Sequence, residues 1–105
     1  MPFDGTPAPR DAAALLMELE ALLDGGRCWA QGEFEGEHGR FCLRGGLDHL
    51  RGNCSGDGLA EMFLLAAVKE RCGYEVPIVQ FNDGADSFEE VRQVITRALQ
   101  LAAAA

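Results

Sequence analysis

The chain reads as an α+β domain, mainly α, with about four helices, a small β-hairpin and one further short strand. Three observations carry this reading. Apolar residues recur at helical spacing near both ends, the segment from Arg27 to Leu43 breaks into short apolar pieces around glycines, and Glu75 to Phe81 is apolar and β-branched. A length of 105 residues suits one core and not two, since a chain of this size buries somewhat over ~60% of the surface its unfolded form exposes.

Met1 to Pro9 holds three prolines and a glycine and reads as a flexible N-terminal arm, which leaves 10–105 as a single compact domain. From Arg10 to Leu23, Leu15, Leu16, Leu19, Leu22 and Leu23 form one apolar stripe, and Gly25-Gly26 stops the helix. Cys28-Trp29, Phe34 and Phe41-Cys42-Leu43 flank the turn-rich Gly36-Glu37-His38-Gly39, the pattern of a hairpin with that turn at its tip. Leu47 and Leu50, three apart, predict a short helix over Leu43 to Leu50 whose Gly45-Gly46 start serves packing.

The stretch Arg51 to Gly58 is rich in glycine and polar residues and reads as a loop. Leu59, Met62, Phe63, Ala66 and Ala67 predict a third helix, capped by Asp57 and ended by Gly73. Glu75 to Phe81 reads as a strand that Pro77 pushes toward a sheet edge. After the Asn82-Asp83-Gly84 turn, Ser87-x-x-Glu90 is a capping box for a closing helix. Phe88, Val91, Val94, Ile95, Ala98, Leu99 and Ala102 line one side of it, with fraying expected from Ala102 onward.

Composition excludes several function classes. The apolar share of 48% and charged share of 25% are those of a globular protein. The opening residues are polar, and Glu18 and Glu20 interrupt the first apolar cluster, so neither a signal peptide nor a spanning helix is expected. A cytoplasmic location and thiol cysteines follow as expectations, with two disulfides as the alternative that four cysteines leave open. The net charge of −8 repels phosphate backbones, and the nine basic residues are scattered, so no nucleic-acid or membrane partner is expected. Eight of those nine are arginine, and with abundant alanine and glycine this points to a GC-rich bacterial source.

Trp29-x-Gln31-Gly32, then Gly39-Arg40-x-Cys42-Leu43-Arg44-Gly45, then Asn82-Asp83 with Glu90-Val91 and Arg97-Ala98 behind it, form an ordered series of short motifs. In this the chain resembles a bacterial and phage-associated family of small proteins known only as a domain of unknown function, with the order Trp-x-x-Gly, Cys-x-x-Gly-Ala-Leu and Trp-Asn-Asp. The resemblance spans Ala12 to Leu101 and implies a single small domain with no assigned activity. Phe81 stands where the family prefers Trp, Gly46 where it prefers Ala, and Asp86-Ser87 where it has Arg-Thr.

Cys42, at a helix start, has the position of a thiolate nucleophile, and Gln31 that of an oxyanion donor. His49, the one downstream histidine, would sit roughly 10 Å away on a helix, so the competing reading is a small buried hydrophobe. Cys28, His38, Cys42, His49, Cys54 and Cys72 contain no tight ligand pair, so neither metal nor cofactor is expected. Glu33, Glu35 and Glu37 share one strand face, best read as solvated. Any ligand pocket falls among Trp29, Gln31, Arg44, Asn82 and Asp83, unless these latch the two motif blocks together through the Trp29 indole. The expected function is a small non-catalytic interaction or ligand-binding module for a protein or small-molecule partner, and a homodimer if Leu15, Leu19 and Leu22 are exposed. The alternative is a thiol-dependent enzyme using Cys42.

Overall fold

The computed structural model describes residues 9–32, 35–36, 39–50 and 57–105, and these are mainly helical. The elements are α1 (Pro9–Leu23), β1 (Glu35–Gly36), β2 (Arg40–Phe41), α2 (Leu43–Leu50), α3 (Asp57–Cys72), α4 (Ile78–Gly84) and α5 (Phe88–Ala104). Five helices thus replace the expected four. The arm through residue 8, the Glu33, Phe34, Glu37 and His38 positions, the 51–56 loop with Cys54, and the Asp57 cap side chain lie outside the described residues. Pro9 belongs to α1 and not to an arm, as its preset φ suits a helix's first position.

The leucine stripe of α1 behaves as its spacing requires. Leu15, Leu16, Leu19 and Leu23 are fully buried, each such burial contributing roughly 1.5–3 kcal/mol. They pack in one core with Ala60, Leu64 and Val68 of α3 and Val91, Ile95 and Ala98 of α5. With Leu15 and Leu19 consumed in this core, the leucine seam offered for a homodimer is not free. Asp24, Gly25 and Gly26 end the helix with φ of 48°, 63° and 101°. At Gly26 an added Cβ would also lie 3.0 Å from the Phe88 Cβ, so both backbone and space demand glycine.

Pairing between β1 and β2 is antiparallel with Glu35 opposite Phe41 and Gly36 opposite Arg40. The hairpin expected between Cys28 and Leu43 is thereby reduced to two residues on each side. Cys28 to Ala30 runs parallel to Phe41 instead, with Phe41 N–H donating to Cys28 O at 2.7 Å and Ala30 N–H to Phe41 O at 2.9 Å. The carbonyl and amide of one residue thus hold the Trp29 segment against the start of α2.

The strand read over Glu75 to Phe81 is a correction: the chain there is extended only to Pro77 and then helical. Pro77, with φ −58° and ψ 147°, sits at the N-cap, and its carbonyl accepts the first helical bond from Phe81 N–H at 3.0 Å. Ile78, Phe81 and Asn82, at i, i+3 and i+4, are the buried face of α4. Packing against α2 and α3 overrides the β propensity of Ile78 and Val79.

Two further details depart from expectation. Glu90 of the Ser87 capping box accepts from Asp86 N–H at 2.6 Å, one residue upstream of the expected donor, and Ser87 makes no side-chain cap bond. Helix α5 persists to Ala104 where fraying was expected. On the α3–α5 seam Arg97 binds Glu70 at 2.7 Å, and its hydrogen bond holds the Glu70 carboxyl below the ordinary range. A lowered folded value means that the pair supports the fold above the ordinary carboxylate pKa and ceases to as pH falls through the lowered one. Exposure keeps that contribution small.

Candidate functional site

Asn82 is the one fully buried polar side chain among the described residues. Its placement follows from α4, whose helical period turns position 82 inward beside Ile78 and Phe81. All four hydrogen-bonding valences of the amide are used. Oδ1 accepts from Trp29 Nε1 at 2.8 Å and from Leu43 N–H at 3.1 Å. Nδ2 donates to Ala30 O at 2.9 Å and to Asp83 Oδ1 at 3.2 Å. A single amide therefore ties the Trp29 segment, the first turn of α2 and the end of α4 together.

The neighbouring residues complete the same tie. Gln31 Nε2 donates among Ala85 O (2.8 Å), Asn82 O (3.0 Å) and Asp83 O (3.3 Å), carbonyls that a helix end otherwise leaves unpaired. Gly32 N–H donates to Asp83 Oδ1 at 2.8 Å. The indole of Trp29 lies tilted against Phe88, ring centroids 5.7 Å apart. Trp29, Gln31, Asn82 and Asp83 are thus brought together, and apart from the Asn82–Asp83 bond the side-chain bonds here join segments far apart in the chain.

Arg44 belongs to a different contact. Its guanidinium binds Glu61 at 2.6 Å and Asp48 at 2.9 Å, pinning α2 to α3. Partial burial opposes its charge, but the hydrogen bonds to Glu61 and Asp48 outweigh this and raise its pKa above the ordinary value.

Cys42 is fully buried and ends the extended chain just before α2. Its Sγ accepts from Gly45 N–H at 3.2 Å, and its carbonyl accepts from Gly46 N–H at 2.8 Å. With Asn82 taking Leu43 N–H, the Leu43, Gly45 and Gly46 amides at the α2 start have internal acceptors. His49 is exposed and its ring rests on Phe41 at 4.8 Å between centroids. Cys28, Cys42 and Cys72 are free thiols, and among the described residues no group of three His, Cys, Asp or Glu side chains converges for a metal.

Sequence reasoning missed a second feature, on α3. The helix buries Ala60, Leu64, Ala67 and Val68, and leaves Met62 (63% exposed), Leu65 (38%) and Ala66 outside. Met62 and Ala66 belong to the helical repeat that predicts α3, yet both lie outside the core. The signal was present: from Leu59 to Val68 only Glu61 is polar, and a helix apolar all round has two faces to cover. The outer face and the extended Val76-Pro77 wall enclose a groove of about 650 Å³. Tyr74, 64% exposed, borders a more polar cleft of about 420 Å³ on the other side of the same segment. Arg71 in that cleft is committed to Gln93 at 2.7 Å and Glu90 at 3.5 Å.

Among the described residues no helix is long and apolar enough to cross a membrane. No family model, curated protein or solved structure matches the chain.

Proposed function

We propose that this chain is a small non-catalytic interaction module that binds a partner through its surface, built on the fold of the bacterial and phage-associated family whose motif order it resembles. One observation carries the reading. The polar atoms of the Asn82 side chain, Nε2 of Gln31 and the Trp29 indole N–H are bonded to the protein itself, whereas α3 keeps Met62 and Leu65 turned to solvent. Groups that already hold the fold together have no valence left for a ligand, and exposed clustered apolar side chains are the mark of a docking face.

The competing reading, a thiol-dependent enzyme on Cys42 assisted by Gln31, needs an accessible sulfur and a free amide. Here the sulfur is buried and accepts a backbone N–H, and the amide caps α4. The test is iodoacetamide labelling of the folded protein, followed by peptide mass spectrometry from pH 5 to 9. Cys42 is expected to react on the order of 100-fold more slowly than half-buried Cys72, because it waits for local opening, and Cys42→Ser should alter stability alone. Selective, rapid alkylation of Cys42 near neutral pH would transfer the protein to the enzyme class.

A further inference from the structure

The cleft bounded by the last turn of α3, the end of α4 and the first turn of α5 binds, we infer, a free α-amino acid with an aromatic side chain, at a site apart from the exposed face of α3. An ion pair that the fold leaves unclosed carries this inference. On the α3–α5 seam Arg97 grips Glu70 through two nitrogens, at 2.7 and 3.2 Å, the bidentate closure that such pairs favour. Arg71 and Glu90, on the same two helices, stand 3.5 Å apart, beyond the roughly 2.7–3.2 Å of an N–H···O bond. Each is anchored elsewhere: Arg71 Nη1 donates to Gln93 at 2.7 Å, and Glu90 Oε2 accepts from Asp86 N–H at 2.6 Å. Among the described residues, Arg71 Nη2 and Glu90 Oε1 have only each other, at that distance. Two opposite charges are therefore held side by side with bonding capacity unspent, and both line the cleft.

A ligand satisfies both groups only if it brings opposite charges equally close together. An α-amino acid does so, because its ammonium nitrogen and carboxyl carbon share one Cα and lie about 2.5 Å apart by covalent geometry. Its carboxylate meets the Arg71 guanidinium and its ammonium meets Glu90 Oε1, both as charge-assisted hydrogen bonds. A lone anion would face Glu90 and a lone cation Arg71, each losing to one charge what it gains from the other. The rest of the cleft defines the side chain. Val76 and Phe81, 6% and 8% exposed, supply apolar lining beside the pair, and the ring of Tyr74 is open to solvent at the edge. An aromatic body can meet those rings in the offset or tilted geometry that aromatic pairs prefer. The volume of about 420 Å³ lies near the low end of the roughly 300–1,000 Å³ of small-molecule sites.

The test titrates the full chain with L-phenylalanine and three analogues, read by amide NMR shifts. Phenylalaninamide keeps only the positive charge, 3-phenylpropionate only the negative one, and glycine keeps both charges without the ring. L-Phenylalanine is expected to saturate with a Kd at or below about 1 mM and to bind at least about tenfold more tightly than each analogue, with shifts at Arg71, Cys72, Tyr74, Phe81 and Gly84. Glu90→Gln retains an acceptor for Asp86 N–H, removes the charge, and should weaken binding about tenfold. Tyr74→Ala, at an exposed position outside the ion pair, should weaken phenylalanine severalfold. Glu70→Gln breaks the closed ion pair of the same seam, which is not part of the cleft, and should leave binding unchanged.

No saturable binding of L-phenylalanine, equal binding of either singly charged analogue, or shifts away from the cleft would overturn the proposal. So would an equal loss in Glu70→Gln and Glu90→Gln, since the effect would then come from the helix seam and not from the open pair. The analogue series is read on the unaltered chain and does not depend on any variant folding. None of these outcomes touches the non-catalytic reading, which falls instead to rapid labelling of Cys42.

Discussion

Asn82→Ala is expected to destabilise the protein by about 3–5 kcal/mol, because it strands the Trp29 indole N–H, Leu43 N–H and the Ala30 carbonyl at roughly 1–3 kcal/mol each, with water repaying part. Against a total stability of about 5–15 kcal/mol for a domain, this is among the largest losses one side chain can cause. A urea midpoint lowered accordingly, with native Trp29 emission shifted to the red, is the expected result. A loss below about 1 kcal/mol would mean that the tie is replaceable by solvent. Asn82→Asp sharpens the test. It keeps the acceptor, removes the donor to Ala30 O, and sets a carboxylate in the core beside Asp83 Oδ1. Burial and the like charge raise the folded pKa of the introduced carboxyl. The penalty should therefore be small when the group is protonated, grow as pH rises above the unfolded value of about 3.9, and level off above the raised folded value.

The second large effect is expected where α2 crosses α1. A Cβ on Gly46 would stand 2.6 Å from Leu19 Cδ1, and Leu19 is fully buried. Gly46→Val should cost about 2–3 kcal/mol through overpacking and the β-branched side chain in a helix. Leu19→Ala should cost about 2–5 kcal/mol through the cavity it opens. The added methyls fill part of that cavity, so the double variant should be better than the sum by about 1 kcal/mol in denaturant titrations. Strict additivity would show that the two positions do not share space. The Leu19 contact explains why this chain carries glycine here.

How far the sequence discloses this structure depends on whether a segment's local pattern also decides its packing. The leucines of α1 and the Val91, Ile95, Ala98 series of α5 announce one buried stripe each, and both helices stand where the spacing puts them. Val76 to Phe81 misleads because β-branched content and helical burial compete. Pro77 at a helix N-cap is locally indistinguishable from Pro77 on a sheet edge, and contacts with α2 and α3 decide the matter. For α3 the run of apolar residues conceals which face is the core, so the repeat predicts the helix but not its outward groove. The site divides similarly. That Trp29 and Asn82 belong together was legible from motif order and from the indole's need of an acceptor. That Gln31 caps the end of α4 was not, since no helix was expected there, and Arg44 joins Asp48 and Glu61 because α2 turns it toward α3.

The bonds of Asn82 and Gln31 to the Trp29 segment span 51 to 54 positions of chain. Such links cannot form while the polypeptide is still searching locally. Closing a loop of that length carries an entropic toll that α1 and α5 must already have met through their apolar contacts. The clasp is expected to form after the transition state, in which case its removal leaves refolding nearly unchanged and accelerates unfolding, as a chevron of Asn82→Ala would read. On that expectation one amide bears on the lifetime of the native state more than on the speed of reaching it.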